Sequence, residues 1–253
     1  IEEKHYSSVV DALNTIPGIS FVSNGSFGAS SSVYLRGNDS KRILVLIDGI
    51  RYNDITGTSG APFEHLMIDD IEQIEVVKGA QSGIWGADAS AGVINIITSS
   101  AKKGFHGSVN TEYGEYDTKK IKTDLSYKEN DYYVKGSVSS LNTNGFTAQA
   151  PKETKNDYLE DDGYENITAN VKFGYEFNDS NKIDLSHTLI NARTEYDGCG
   201  NNKWKTSFGG YYSCTDNAIQ KADNDSYYSK TQDTFSSANF NHVNDFNQID
   251  IYT

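Results

Sequence analysis

Residues 76–98, VVKGAQSGIWGADASAGVINIIT, place Gly79, Gly83, Gly86 and Gly92 between two apolar, β-branched runs. Glycine clusters that follow a strand can cradle phosphate, so this stretch is the first candidate for chemistry. A dinucleotide loop needs G-x-G-x-x-G running directly into a helix whose first amides hold the pyrophosphate. Here the spacing is G-x-x-x-G-x-x-G, and the Gly-Lys-Ser/Thr of a P-loop is missing. The segment after Gly92, VINIIT, alternates and is rich in β-branched residues, which predicts a strand rather than a helix. The glycines therefore read as a turn between strands.

Other chemistry is sparse. The five histidines (His5, His65, His106, His187, His242) are scattered, and no nucleophile elbow, HExxH motif or paired-carboxylate signature occurs. An enzyme is not expected, nor a catalytic cofactor. The 35 acidic residues outnumber 22 basic ones for a formal charge of −13, which leaves no basic face to displace phosphate counterions and excludes nucleic acid as a partner. Acidic clusters are solvated surface or ligands for a hard cation. Cys199 and Cys214 are the only cysteines and lack CxxC spacing, which argues against a metal site.

The elements that would position such residues fall into two textures across 253 residues. In the first hundred, Ser8 with Asp11 forms a capping box, Val9, Ala12, Leu13 and Ile16 line one helical face, and Pro17-Gly18 ends the helix. A loop SNGSFGASSS precedes strands VYLRG and RILVLIDGI, and Ile43–Ile47 is apolar at every position, as in a strand buried on both faces. Asp48-Gly49 reads as a turn. A second loop, NDITGTSGAP, leads to a short helix predicted near residues 62–69, then strand IEVVKG, completing a compact α/β unit.

After Ala101-Lys102-Lys103-Gly104 the pattern becomes strict alternation. In ITANVKFGYEF (167–177), Ile, Ala, Val, Phe, Tyr and Phe alternate with Thr, Asn, Lys, Gly and Glu, and IKTDLSY (121–127) does the same. Alternation alone fits a soluble β-sandwich or a membrane barrel, which differ in whether the apolar row meets a core or lipid. Segments near ten residues suffice to cross a bilayer when tilted. The 17 tyrosines, the long polar loops at 143–165 and 197–225 and the short turn ENDY (129–132) favour the barrel. No apolar run reaches eighteen residues, so no transmembrane helix is expected. The opening IEEKHYSS has neither initiator Met nor signal-peptide pattern, and the sequence reads as part of something longer.

The ordered motifs DALNTIPGI, VYLRG, VLIDGIR, IEQIEVVKG and SGIWGADASAGVINIIT, spread over residues 9–98, resemble the plug domain of TonB-dependent outer-membrane receptors. The resemblance implies an α+β plug domain (1–100) followed by the N-terminal part of an antiparallel transmembrane β-barrel (105–253), whose complete family form has 22 strands. About 150 residues supply six to eight of them. It also makes the glycine stretch a tight strand-to-strand connection. Localisation in the bacterial outer membrane follows, with TonB as the energising partner through a box expected before residue 1. RYNDITGTSGAPFEHLMIDDIEQIEVV, NGFTAQA and NARTEYD look most like vitamin B12 (cobalamin) receptors, with ferric siderophore or haem receptors as the alternative. A soluble adhesion domain or a passive porin leaves the plug motifs unexplained.

By the same resemblance, ligand meets the apical loops 23–32 and 54–61, through Ser26, Ser30, Ser31, Thr58 and Ser59. Arg36 and Lys78 match plug positions that pair with wall glutamates, expected beyond residue 253. Calcium ligands would be Glu160 and Asp162 in one outer loop and Asp197 and Asp223 in the other, although Thr147 stands where the family has an aspartate. Cys199 and Cys214, on the oxidising face, are expected to form a disulfide worth about 3 kcal/mol.

Overall fold

The computed structural model describes residues 6, 8–54, 60–147, 161–196, 204–206, 212–214, 227–243 and 248–252. The N-terminal unit begins with helix α1 (Val9–Asn14), six residues long. Its capping box forms: the Asp11 amide donates to Ser8 Oγ at 3.2 Å, and the Ser8 amide to Asp11 Oδ2 at 3.0 Å. Strands β1 (Ile19–Ser23) and β2 (Ser31–Leu35) follow as an antiparallel hairpin whose connection is the first apical loop.

A four-stranded sheet carries the rest, in the order β4 (Ile50–Arg51), β3 (Ile43–Ile47), β6 (Gly92–Thr98), β5 (Ile71–Lys78). β3 runs parallel to β6, and β5 runs antiparallel to it. Every residue of β3 is buried, and the reason is two-sided packing. Ile43, Val45 and Ile47 join the main core with Val9, Leu13, Val33, Leu35, Phe63, Ile94 and Ile96. Leu44 and Leu46 pack on the opposite face against Ala89 and Val93. Each such side chain contributes about 1.5–3 kcal/mol of burial.

Two local expectations change. The 62–69 segment holds one 3-10 turn, Phe63–His65, rather than a helix, and the backbone is already extended at Leu66 (ψ 102°). The glycine-rich connection between β5 and β6 is not tight. It spans thirteen residues and contains the helical turn α2 (Ser82–Trp85) and a 3-10 turn, Ala87–Ala89. Gly86 (φ 86°) reverses the chain between them. Gly92 is required for a different reason: a Cβ there would sit 2.4 Å from the Val77 carbonyl oxygen.

The second unit is a seven-stranded antiparallel meander: β7 (Gly104–Gly114), β8 (Thr118–Glu129), β9 (Tyr132–Thr143), β10 (Tyr164–Asn178), β11 (Asn181–Tyr196), β14 (Tyr227–Val243) and β15 (Gln248–Tyr252). A small hairpin, β12 (Trp204–Thr206) with β13 (Tyr212–Cys214), lies between β11 and β14. Among the described residues β7 and β15 are edge strands, so the sheet is an arc. Its two faces invert the soluble pattern. Exposed residues on β9 and β10 are Val134, Val138, Ile167, Val171, Phe173 and Phe177; buried ones are Lys135, Ser137, Ser139, Asn166, Asn170 and Lys172. A sandwich would bury the apolar row, so the arc is barrel wall with its apolar row toward lipid. Aromatic residues gather at the short-turn end of that row: Tyr175 and Phe177 have ring centroids 5.0 Å apart, and Tyr127 and Tyr132 5.9 Å. No described helix is long and apolar enough to cross a membrane.

This polarity yields a mutational expectation. Val171→Arg, at mid-depth on the outward row, should destabilise the protein by about 2–4 kcal/mol, whereas Val171→Leu stays within about 0.5 kcal/mol. Reversible denaturation of the bilayer-reconstituted protein measures both; equal stability of the arginine variant would place that row away from lipid.

Candidate functional site

The plug sheet meets the wall's buried row through charge. Lys120 of β8 pairs with Asp69 (2.7 Å), Lys135 of β9 with Asp70, and Lys172 of β10 with Asp48 (2.9 Å). The side chains are nearly dry: Lys135 is 4% and Asp70 17% exposed. Two of the three carboxylates, those of Asp48 and Asp70, are also held from the plug side. Asp48 sits at positive φ (49°) in the turn between β3 and β4, and its two oxygens accept from the Thr98 amide (2.8 Å) and hydroxyl (2.6 Å). Asp70 accepts from Ser99 Oγ at 2.7 Å, and Lys135 also reaches the Ser99 carbonyl at 2.9 Å. Lys122 donates to the Asp69 carbonyl at 2.5 Å.

The apical loop is fastened differently. Ser26 is buried and its hydroxyl donates to the Asp162 carbonyl at 2.7 Å. Thr194 Oγ1 donates to the Gly28 carbonyl at 3.1 Å. A Cβ at Gly28 (φ 73°) would lie 2.1 Å from the Tyr164 ring, so only glycine allows this approach. Ser31 donates to Glu64 Oε2 through both its hydroxyl (3.1 Å) and its amide (3.4 Å). Next to Glu64, His65 stacks on Tyr164 at a centroid distance of 6.0 Å, and Asn166 Nδ2 donates to the His65 carbonyl at 3.1 Å. Burial raises the Glu64 carboxyl above its usual range and lowers the His65 imidazole below 6.5. Burial, then the nearby Asp233 carboxylate, pushes the Tyr52 phenol well up; its hydroxyl donates to Asp233 Oδ2 at 3.2 Å.

The second apical loop is anchored at its base. Asn53 substitutes for a strand neighbour, accepting from the Val45 amide and donating to the Ile43 carbonyl, both at 2.8 Å. The Asp54 amide then donates to the Gly60 carbonyl at 2.9 Å, bringing the loop ends together. A cleft of about 230 Å³ opens beside the first loop, with Phe21, Phe27, Phe63, Met67 and Phe146 in its lining.

The residues singled out from sequence disperse among these features. Ser30 is exposed on the apical loop, Ser31 is committed to Glu64, and Ser26 is a plug–wall contact whose hydroxyl is spent on Asp162. Arg36 is exposed at positive φ (51°), and Lys78 Nζ donates to the Pro17 carbonyl at 2.5 Å. The plug–wall ion pairs formed within this chain run with the opposite sign, carboxylates on the plug and lysines on the wall. Thr58, Ser59, Glu160, Asp197, Asp223 and Cys199 lie outside the described residues, as does the side chain of Cys214 in β13. Asp162 is buried and offers its carbonyl to Ser26. Among the described residues no group of three His, Cys, Asp or Glu is arranged to hold a metal. The sequence reading missed Asp69, Asp70, Lys120, Lys135 and Lys172 and took Asp48 only as a turn. The available signal was a lysine in the polar row of three successive strands, where a solvated charge has no water to face.

Two outcomes follow. Lys135→Met leaves Asp70 buried without its cation and should cost about 3–5 kcal/mol, while the Lys135→Met/Asp70→Asn pair recovers most of it; denaturation of the intact protein reads both. For His65 the lowered folded pKa means that its contribution is present above about pH 6.5 and is lost as pH falls through the lowered value, since the unfolded chain binds the proton first. Stability measured against pH should therefore fall on that acid limb, and His65→Gln should flatten it. An unchanged limb would remove His65 as its source.

Comparison with known proteins agrees with this architecture. Residues 1–93 match the family described as TonB-dependent Receptor Plug Domain. The chain is 35% identical over 207 residues to "Vitamin B12 transporter BtuB" of Vibrio vulnificus strain CMCP6, covering 80% of this chain and 32% of that one. It is 31% identical over 197 residues to the protein of the same name from strain YJ016, covering 78% and 31%. The chain thus spans about a third of the length of these curated relatives. Among solved structures, the siderophore receptor PirA from Acinetobacter baumannii superposes with a TM-score of 0.73 at 16% identity, over 97% of this chain and 36% of that one.

Proposed function

We propose that the chain is the plug and leading wall of a TonB-dependent outer-membrane receptor that takes up a cobalamin, energised through TonB. The observation carrying the ligand is the 35% identity to a vitamin B12 transporter across four-fifths of the chain, plug and wall included. The siderophore receptor's likeness, at 16% identity, speaks to fold alone.

The apical geometry supports a large, amide-fringed ligand. Small residues, Ser30 and Gly25 among them, let backbone groups approach closely, and the loop is seated on the wall before any ligand arrives. A pre-seated loop lowers the ordering cost of binding. The outer loops carry acidic oxygen donors at Glu160, Asp162, Asp197 and Asp223, and calcium bridging them would order the loops in the same sense.

Titrating cyanocobalamin and ferric siderophores into the full-length receptor tests the ligand. We expect saturable cobalamin binding at about 1 µM or tighter, weakened roughly tenfold when a chelator removes calcium. Saturable binding of a siderophore without cobalamin would transfer the reading to iron uptake, and chelator-insensitive cobalamin binding would remove the calcium role alone.

A further inference from the structure

On the outward face of the wall, at its long-loop end, Arg193 of β11 stands directly opposite Lys230 of β14. Directly opposed like charges repel, so such a pair needs an anion. Both cations lie over the ring of Tyr228, Arg193 at 4.8 Å and Lys230 at 5.4 Å from its centroid. Among the described residues Arg193 pairs with one carboxylate, Glu195 at 2.8 Å, and a second, Glu165, is its opposite number on β10, taking a hydrogen bond from Asn142 at 3.2 Å. Among the described residues no carboxylate pairs with Lys230, which is exposed.

The height of this cluster decides its occupant. The next outward residues down are Ile167, Asn191 and Gln232, about 7 Å along the strands, and below them the row runs through Ala169, Val171 and Phe173 on β10 and Leu189 and Leu185 on β11, interrupted by the hydrogen-bonded His187–Ser236 pair. Arg193 and Lys230 therefore sit at the upper margin of the apolar band, facing away from the lumen, where lipid headgroups lie. A groove of about 500 Å³ lined by Glu165, Ile167, Asn191, Arg193, Lys230 and Gln232 leads down from them.

We propose that Arg193, Lys230 and Tyr228 form a binding site for the phosphate of an anionic lipid headgroup in the outer leaflet, with an acyl chain lying along the groove over Ile167. The guanidinium supplies a forked donor and the ammonium a point charge, the complement of a phosphate's oxygens. Glu195 orients Arg193 without neutralising Lys230. The site rests on the wall lying in a bilayer and is independent of the nutrient carried.

Native mass spectrometry of the detergent-purified full-length receptor tests it, with diphosphorylated lipid A as probe. Retention of the lipid should fall about fivefold for each cation removed by Arg193→Gln and Lys230→Gln. Dephosphorylated lipid A should bind wild type only as weakly as the double variant binds the probe. Lys119→Gln, a rim cation paired to Asp117, serves as the control and should leave retention unchanged. Equal retention by the double variant, equal binding of the dephosphorylated lipid, equal loss with Lys119→Gln, displacement by excess inorganic phosphate, or a changed oligomeric mass each overturns the proposal. Heat-resistant barrel mobility on gels confirms folding of the variants, and a receptor that stays soluble without detergent would refute the membrane placement itself.

Discussion

Lys135 and Lys172 stand directly opposite each other on the buried face of β9 and β10. Two ammonium groups so placed repel, and among the described residues the wall itself brings no carboxylate to them. Asp70 and Asp48 arrive from the plug. The wall's inner surface is consequently incomplete without the plug, and the plug's two carboxylates are fixed beforehand by Ser99 and Thr98 at the end of its own sheet. One electrostatic requirement thus sets where the sheet lies against the wall, and the apical loops inherit that placement.

Charge is an unusual adhesive for such a seam. Well-packed apolar residues would hold as firmly or more so, because dehydrating each ion offsets much of the attraction. What ion pairs add is registry: three lysines on three strands accept three carboxylates in one arrangement. Apolar glue would tolerate sliding. It would also resist separation once water enters, whereas solvated charges part at little cost. A plug that must seat in one register suits the ionic kind of contact.

How much of this was legible from residues alone depends on the range of the forces involved. Local signals transferred well: the Ser8–Asp11 box, the fully apolar β3 and the alternation of 167–177 each reflect one element and its immediate surroundings. The glycine stretch was read correctly as a connection between strands, yet its helical turn escaped notice because four residues carry no periodicity to detect. The seam was opaque for a different reason. Asp69 and Lys120 are fifty-one positions apart, and nothing local to either announces the other. Ser26 looked like a ligand donor as a small hydroxyl in a polar loop; only the fold shows its hydroxyl occupied by Asp162, 136 residues away.

The two ends of the plug are held by contacts of different kinds, and this bears on how a ligand could be felt below the apex. The sheet end depends on ion pairs. The apex depends on single hydroxyl donors and on ring contacts, Ser26 to Asp162, Thr194 to Gly28, His65 against Tyr164. A neutral hydrogen bond contributes about 1 kcal/mol, so a ligand competing for one of those donors perturbs the apex at small cost. Glu64 links that apex to the wall in both directions: its carboxylate takes Ser31, and its carbonyl takes the Tyr164 hydroxyl at 3.3 Å. A shift of the loop at Ser31 therefore reaches the wall strand through one residue, with no need for a longer chain of contacts.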